Sequence, residues 1–131
     1  MIEVYVDGAS QGDPGPSGAG IYIKHPNEQI EQSIMLEEMS NHEAEFHALI
    51  HALQLCQQRF PNEILSVRSD SKLVVDSVEK QFTKNSRYQH LLRKSESLIA
   101  SFPYVFIKWI PSKQNKRADQ LARQAIHPKN K

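Results

Sequence analysis

Hydrophobic and polar residues alternate along the first part of the chain with the two-residue period of β-strands. The alternation begins in residues Ile2–Asp7, which predict a first strand, and similar stretches follow at Ala19–Lys24 and Gln29–Leu36. The residues His25-Pro-Asn-Glu between the last two stretches are typical of a turn. Strands linked this closely pair antiparallel, so the pattern predicts a three-stranded meander.

A long loop is predicted between the first two strands. The segment Gly8–Gly20 holds all 5 glycines of the chain together with Pro14 and Pro16. Glycine and proline are the residues that most often interrupt regular structure.

The hydrophobic period changes to that of a helix after Ser40. Ser40 and Glu43 form the Ser-x-x-Glu pattern of a capping box, and apolar residues then recur at helical spacing until Pro61. The remaining elements are predicted as a strand at Ile64–Ser69, helices at Ser71–Glu79 and Arg87–Ser101, a strand at Tyr104–Ile110 and a helix at Asn115–Ile126. This order predicts an α/β fold with a five-stranded mixed sheet, in which three antiparallel strands precede two parallel ones and helices flank the sheet.

Length and composition favour one soluble domain spanning residues 1–131, and we expect a monomer. The chain has 39% hydrophobic and 24% charged residues, which is typical of a globular protein. Its single cysteine, Cys56, excludes an intrachain disulfide. Because no signal peptide or apolar run of membrane-spanning length is present, we expect a cytoplasmic protein without a membrane partner.

The charges are distributed unevenly along the chain. Residues 1–63 carry 10 acidic and 2 basic residues (2 − 10 = −8), whereas residues 64–131 carry 14 basic and 5 acidic ones (14 − 5 = +9). Such an asymmetry suggests a polyanionic partner for the second half, although a solvated basic face would have the same composition.

Four carboxylates lie at predicted element boundaries, where side chains can converge on one edge of the sheet. They are Asp7, Glu45, Asp70 and Asp119. Each one alone also suits a turn, a helix cap or the helix dipole. Converging carboxylates repel each other unless cations lie between them, so the four together predict a divalent-metal site and phosphoryl-transfer chemistry.

The motifs around these carboxylates extend over most of the chain. They comprise an Asp-Gly-rich opening (Tyr5–Gly20), a helix start with a glutamate (Ser40–Leu49), a strand end with an aspartate (Val67–Val74) and a closing Asn-x-x-Ala-Asp-x-Leu-Ala pattern (Trp109–Ala122). In order and spacing they resemble the motifs of the type 1 ribonuclease H family.

This resemblance implies an endonuclease that cuts the RNA strand of RNA–DNA hybrids. It implies that Asp7, Glu45, Asp70 and Asp119 are the catalytic residues and ligate two Mg²⁺ or Mn²⁺ ions. One ion would activate a water and the other would stabilise the leaving 3′ oxygen, so products would carry 5′-phosphate and 3′-hydroxyl ends.

The resemblance also implies a set of residues that contact the hybrid. The backbone groups of Gly8, Ala9 and Ser10 and the side chain of Asn41 would lie near the 2′-hydroxyls of the RNA. Ser40 would hold a DNA phosphate. The full set assigned to substrate binding is Gly8, Ala9, Ser10, Ser40, Asn41, Lys113 and Asn115.

Two features that some family members carry are missing from this sequence. The stretch from Gln81 to Ser86 is too short for the basic extra helix of those members. Ser112-Lys113-Gln114 stands where some members carry a loop histidine, and Lys113 is a poor proton carrier near neutral pH.

Three other functions are compatible with parts of the sequence. The fold could bind hybrids or structured nucleic acid with little or no cleavage. Glu43, His47 and His51 share one helical face and could bind zinc, although no cysteine pair or His-Glu-x-x-His motif accompanies them. An exonuclease of the same broad superfamily would also use clustered acids.

Overall fold

A computed structural model describes residues 1–127 of the chain. It contains five strands, β1 (Ile2–Ser10), β2 (Gly15–His25), β3 (Glu28–Met39), β4 (Leu65–Ser69) and β5 (Val105–Trp109). Four α-helices accompany them, α1 (Asn41–Arg59), α2 (Lys72–Lys80), α3 (Ser86–Ile99) and α4 (Lys116–Ile126), and a short 3-10 helix (Ser112–Gln114) precedes α4.

The strands form one mixed sheet in the order β3-β2-β1-β4-β5. β1 pairs antiparallel with β2, and β2 pairs antiparallel with β3, whereas β4 lies parallel to both β1 and β5. The predicted order of elements and the predicted mixed sheet are therefore confirmed. Because β1 is central, its carboxyl end lies at the point where the sheet changes from antiparallel to parallel pairing.

Helices cover the two faces of the sheet unequally. Alternate residues of β1, β2 and β4 point towards α1 and form the core, which includes Val4, Ile21, Leu49, Leu53 and Val67. α4 packs on the opposite face, mainly over β2, β1 and β3. The burial of these apolar side chains is the main force that fixes both helices against the sheet.

The predicted loop at Gly8–Gly20 is wrong for most of its length. β1 continues to Ser10 and β2 begins at Gly15, so only the short segment 11–14 connects them. The glycines permit close packing: a Cβ on Gly20 would lie 2.0 Å from the carbonyl oxygen of Ala118, and one on Gly18 would lie 2.4 Å from that of Ala122. These two glycines therefore mark contacts between β2 and α4, as glycine in a strand interior often does.

The start of α1 agrees with the predicted capping box. The Ser40 side chain accepts a hydrogen bond from the backbone of Glu43, and the Glu43 side chain accepts one from the backbone of Ser40. These reciprocal bonds fix the first turn of the helix, beside which Glu45 lies.

Candidate metal and nucleic-acid site

Two of the predicted carboxylates come from neighbouring parallel strands. Asp7 lies within β1, three residues before its end, rather than closing the strand as the sequence suggested. Asp70 directly follows β4, and Val6 of β1 is paired with Ser69 of β4. The parallel register therefore brings Asp7 and Asp70 to adjacent positions on the same face of the sheet.

Glu45 reaches the same position from α1. A Cβ on Gly8 would lie only 2.3 Å from the backbone carbonyl of Ala44, so the first turn of α1 touches β1 directly. The Glu45 carboxylate accepts a hydrogen bond from the Ser71 hydroxyl (2.9 Å), and the same Oε1 lies 3.0 Å from Nδ1 of His42. These two contacts orient the carboxylate.

The three carboxylates form a group that suits a metal ion. Asp7, Glu45 and Asp70 each offer one oxygen, and these oxygens all lie within 4.8 Å of one another. It is the only such group of three or more histidine, cysteine or acidic side chains within residues 1–127. Oxygen-only donor sets favour Mg²⁺, Mn²⁺ or Ca²⁺ over softer metals, so the residues present fit a hard divalent cation.

Burial and mutual repulsion raise the pKa of two of these carboxyl groups. The pKa of Asp7 rises to about 9, first because the side chain is buried and then because Asp70 and Asp119 lie nearby. Burial likewise raises the pKa of Glu45, and the charge of Asp70 adds to this. Neither Asp7 nor Asp70 forms a salt bridge within residues 1–127, so no protein cation offsets their mutual repulsion, and a bound cation would do so.

The fourth carboxylate, Asp119, approaches the group from α4. It lies in the first turn of that helix, close enough to Asp7 to raise the pKa of that carboxyl. Its own carboxylate accepts a hydrogen bond from Nε of Arg123 at 3.1 Å. The structure thus brings all four predicted carboxylates together, with Asp119 outside the tight group of three.

A cleft of about 600 Å³ opens above these groups. Four of the residues assigned to the substrate lie along it together with the carboxylates, namely Gly8, Ala9, Ser10 and Asn41. Three others do not line it: Ser40, Lys113 and Asn115.

Two of these three residues have structural roles that are visible in the fold. Ser40 is buried, and its hydroxyl caps α1. Asn115 is only 1% exposed, and its amide nitrogen donates a hydrogen bond to the carbonyl of Val6 at 2.8 Å. Because Asn115 fastens the start of α4 to β1 beside Asp7, it positions Asp119. Lys113 is exposed on the 3-10 helix.

The structure adds residues that sequence reasoning did not assign to the site. His42 and Ser71 contact Glu45, Arg123 contacts Asp119, and Gln11 and His127 meet at 2.6 Å on the rim of the cleft. Helical spacing gave a signal for two of them, since His42 and Arg123 lie three and four residues from their partners. The sequence carried no signal for the contact between Gln11 and His127.

The extra basic helix is missing from the fold, as the sequence indicated. Only residues 81–85 separate α2 from α3, and no helix forms there. In addition, no helix within the described residues combines the length and the hydrophobicity needed to cross a bilayer.

Comparisons with known proteins agree with this architecture. The Reverse transcriptase-like family matches residues 5–125. The chain is 42% identical to the Enterococcus faecalis protein named "Putative hydrolase EbsB", over 96% of this chain and 94% of that one.

Solved structures are similar over nearly the whole chain. RNase H1 from the archaeon Halobacterium salinarum superposes with a TM-score of 0.90 at 28% identity, covering 98% of each chain. LC11-RNase H1, isolated from compost and solved in complex with an RNA/DNA hybrid, superposes with a TM-score of 0.89 at 30% identity, covering 97% of each chain. The chain therefore belongs to the reverse transcriptase-like family of type 1 ribonuclease H proteins, without the basic protrusion of some members.

Proposed function

We propose that the protein is a metal-dependent endoribonuclease that cleaves the RNA strand of RNA–DNA hybrids. The observation that carries this proposal is the group of Asp7, Glu45 and Asp70 oxygens at the floor of an open cleft. The names of its relatives support it, since ribonuclease H proteins of several organisms match nearly the whole chain. The complex of LC11-RNase H1 with a hybrid supports the same class of substrate.

The four carboxylates are the proposed ligands of two divalent cations, Mg²⁺ or Mn²⁺. Bound in this site, such cations supply an activated water and neutralise the charge that develops on the scissile phosphate. Asp7 and Asp70 are held by the sheet, and Glu45 and Asp119 by helices that pack closely on its glycines. The ligands are therefore fixed before substrate binds, which is the condition for efficient electrostatic catalysis.

The residues around the ligands have positioning roles in this proposal. The Ser71 hydroxyl donates a hydrogen bond to Glu45 and accepts one from the backbone of Val74, which caps α2. Ser71 therefore links the Glu45 carboxylate to the start of α2, the helix that follows Asp70. Asn115 holds α4 against β1 through the Val6 carbonyl. Arg123 restrains Asp119 and places a positive charge on the wall of the cleft, where a phosphate oxygen would be attracted.

Recognition of the RNA strand is assigned to the wall formed by Gly8, Ala9, Ser10 and Asn41. These residues line the cleft beside the carboxylates. A wall of small residues with backbone groups and one amide side chain can contact 2′-hydroxyls, which distinguish RNA from DNA. Cleavage at this position is proposed to leave 5′-phosphate and 3′-hydroxyl ends.

A second candidate function is binding of nucleic acid without cleavage. It is favoured by the direct connection between α2 and α3 over residues 81–85, which leaves out the basic helix that some members carry. The two functions differ in what happens to the substrate after binding, so one experiment separates them.

The experiment uses a hybrid whose RNA strand carries an internal label and blocked ends, incubated with the protein and Mn²⁺ or Mg²⁺. The proposed function predicts internal RNA fragments, with ends that a ligase joins only if 5′-phosphate and 3′-hydroxyl groups are present. Binding without fragments would support the binding function instead. Fragments that arise only when the ends are unblocked would identify an exonuclease.

A further inference from the structure

The sheet face that carries Asp7 and Asp70 extends well beyond the cleft. α4 covers part of this face, over β2, β1 and β3, and its start borders Tyr5 and Tyr22. Next to α4, the strand registers place two rows of side chains between the carboxylate row and the far end of the sheet. One row is Lys24, Glu3, Ser66 and Phe106, and the next is Tyr22, Tyr5, Arg68 and Lys108. We call the aromatic and basic members of these rows the open face: Tyr5, Tyr22, Lys24, Arg68, Phe106 and Lys108.

Aromatic rings and cations alternate closely on the open face. The rings of Tyr5 and Tyr22 lie 5.8 Å apart, and Nζ of Lys24 is 5.6 Å from the first ring centroid and 5.8 Å from the second. Cζ of Arg68 lies 5.3 Å from the Tyr5 centroid. Phe106, at the far side of the face, is 48% exposed. Rings interleaved with cations are a surface on which nucleic-acid bases stack.

The ring of Tyr5 at the centre of the face is held in place. Arg68 donates a hydrogen bond to the Tyr5 hydroxyl at 2.8 Å and to the Ser66 hydroxyl at 3.0 Å, and it also pairs with Glu3 at 3.1 Å. Tyr5 in turn donates to Glu3. The Arg68 guanidinium is therefore already bonded to its neighbours. Arg68 would affect a bound strand indirectly, because it holds Tyr5 in position.

The open face has an excess of positive charge. Glu3 is paired with Arg68, and Glu31 on β3 is paired with Arg117 of α4. Lys24 and Lys108 form no salt bridge with any residue in the range 1–127, and both are exposed. Exposed, unpaired cations beside aromatic rings complement a polyanion that carries ring systems.

The position of the face suggests the form of this polyanion. Asp7 follows Tyr5 by two residues, and Asp70 follows Arg68 by two, so the next row of the same face holds the carboxylates. Bases within a duplex are stacked on one another and cannot reach flat protein rings, whereas those of a single strand can. The start of α4 borders Tyr5 and Tyr22, and Asn115 is bonded to the Val6 carbonyl between Tyr5 and Asp7, so a single strand from the cleft would pass over the start of α4 before it reaches the open face.

We propose that the open face is a second nucleic-acid site that binds single-stranded DNA or RNA. Bases stack on Tyr22 and Phe106, and phosphates are held by Lys24 and Lys108. Lys24 is exposed and reaches the rings through a flexible stem, so it can move from the ring face to a phosphate when a base arrives. This site concerns binding alone and does not depend on cleavage at the carboxylates.

The test is fluorescence anisotropy of labelled oligo(dT) and oligo(U), each of about 12 nucleotides, with all variants made in an Asp70→Asn protein so that no strand is cut. Tyr22→Ala should weaken binding on the order of tenfold, because stacking on one ring is lost. Tyr22→Phe keeps the ring and should bind like the parent. Lys24→Ala should reduce the steepness of log K against log salt by about 0.7, the value for one phosphate contact with a single strand.

The matched control is Lys94→Ala, which removes the same charge from an exposed position on α3, away from the open face. It should leave the affinity and the salt dependence unchanged. Circular dichroism of Tyr22→Ala checks that the fold is intact, and Lys24→Ala provides an independent test if it is not. The proposal is overturned if the parent does not bind the oligonucleotides, or if Tyr22→Ala and Lys24→Ala bind as Lys94→Ala does.

Discussion

The backbone of Gly8 touches the backbone of Ala44, and this contact places Glu45 beside Asp7. A Cβ added to Gly8 would lie 2.3 Å from both the carbonyl carbon and the carbonyl oxygen of Ala44. Since Asp7 precedes Gly8 and Glu45 follows Ala44, the two carboxylates are neighbours of the two contact residues. The distance between β1 and α1 therefore controls the distance between two of the proposed metal ligands.

Replacing this glycine should disturb both stability and the site. Gly8→Ala must push α1 away from β1, and we expect a loss of about 1–3 kcal/mol in the free energy of unfolding. Affinity for Mn²⁺ should fall as well, because Glu45 moves with α1. Urea denaturation and isothermal titration with Mn²⁺ measure the two effects.

A second substitution tests whether the backbone is the cause. The atoms that the new methyl group would strike belong to the backbone of Ala44 and Glu45, so Ala44→Gly should not rescue Gly8→Ala. Full rescue by Ala44→Gly, or an unchanged stability of Gly8→Ala alone, would contradict the described contact.

The crowded carboxylates should destabilise the protein when no divalent cation is present. The raised pKa of Asp7 means that the folded state favours the protonated form. Its stabilising contribution is complete below the ordinary pKa of 3.8 and is lost as the pH rises towards about 9. Asp7→Asn removes this dependence, so it should raise the melting temperature in EDTA at pH 8 by a few degrees.

The same comparison has a built-in control. At about pH 4 the Asp7 carboxyl of the folded parent is protonated, and the amide that replaces it in the variant is also uncharged. The difference in melting temperature between the parent and Asp7→Asn should therefore shrink at this pH. A difference that stayed constant across the acidic and alkaline buffers would show that charge repulsion is not its source.

The thiol of Cys56 should be unreactive in the folded protein. Cys56 is fully buried in α1, and burial raises the pKa of its thiol to about 12. Below that pH the thiol stays protonated, and the thiolate is the reactive form. At pH 8 we expect Ellman's reagent to label the protein only after urea unfolds it; rapid labelling of the folded protein would contradict the packing of α1.

Arg123 should compete with a cation for Asp119. The guanidinium contacts the Asp119 carboxylate at 3.0–3.1 Å, and it adds a positive charge to the wall of the cleft. Arg123→Gln should therefore tighten Mn²⁺ binding by up to roughly tenfold while it weakens binding of the hybrid, because a phosphate contact is lost. Titration calorimetry with Mn²⁺ and anisotropy with a labelled hybrid measure the two changes; a parallel loss of both affinities would contradict this arrangement.

The sequence predicted the arrangement of strands and helices because each element has a clear hydrophobic period and a distinct start. The capping box at Ser40 is an example, since two side chains three residues apart specify where α1 begins. The four carboxylates could also be identified from the sequence, because each lies in its own recognisable motif. Patterns of neighbouring residues were therefore sufficient to predict the elements and the carboxylates, which such patterns specify.

Features that depend on contacts between distant segments were not predictable in the same way. Gly18 suggests a loop when only its neighbours are considered, but it lies in β2, where α4 packs closely on it. Asn115 resembles a substrate-binding residue in its motif, but its amide is used to hold the Val6 carbonyl, which lies far away in the sequence. The contact of Ser71 with Glu45 likewise joins two elements that the sequence separates.

The Asp70→Asn substitution shows most clearly whether the carboxylate group carries out metal-dependent cleavage of RNA in a hybrid. The matched control is Asp76→Asn, which makes the same change at an exposed position of α2. With an internally labelled RNA strand and Mn²⁺, the parent and Asp76→Asn should produce internal RNA fragments, whereas Asp70→Asn should produce none and EDTA should abolish cleavage by the two active proteins. Cleavage that survives Asp70→Asn unchanged, or that continues in EDTA, would mean that the carboxylate group does not cut the RNA with the help of a metal ion.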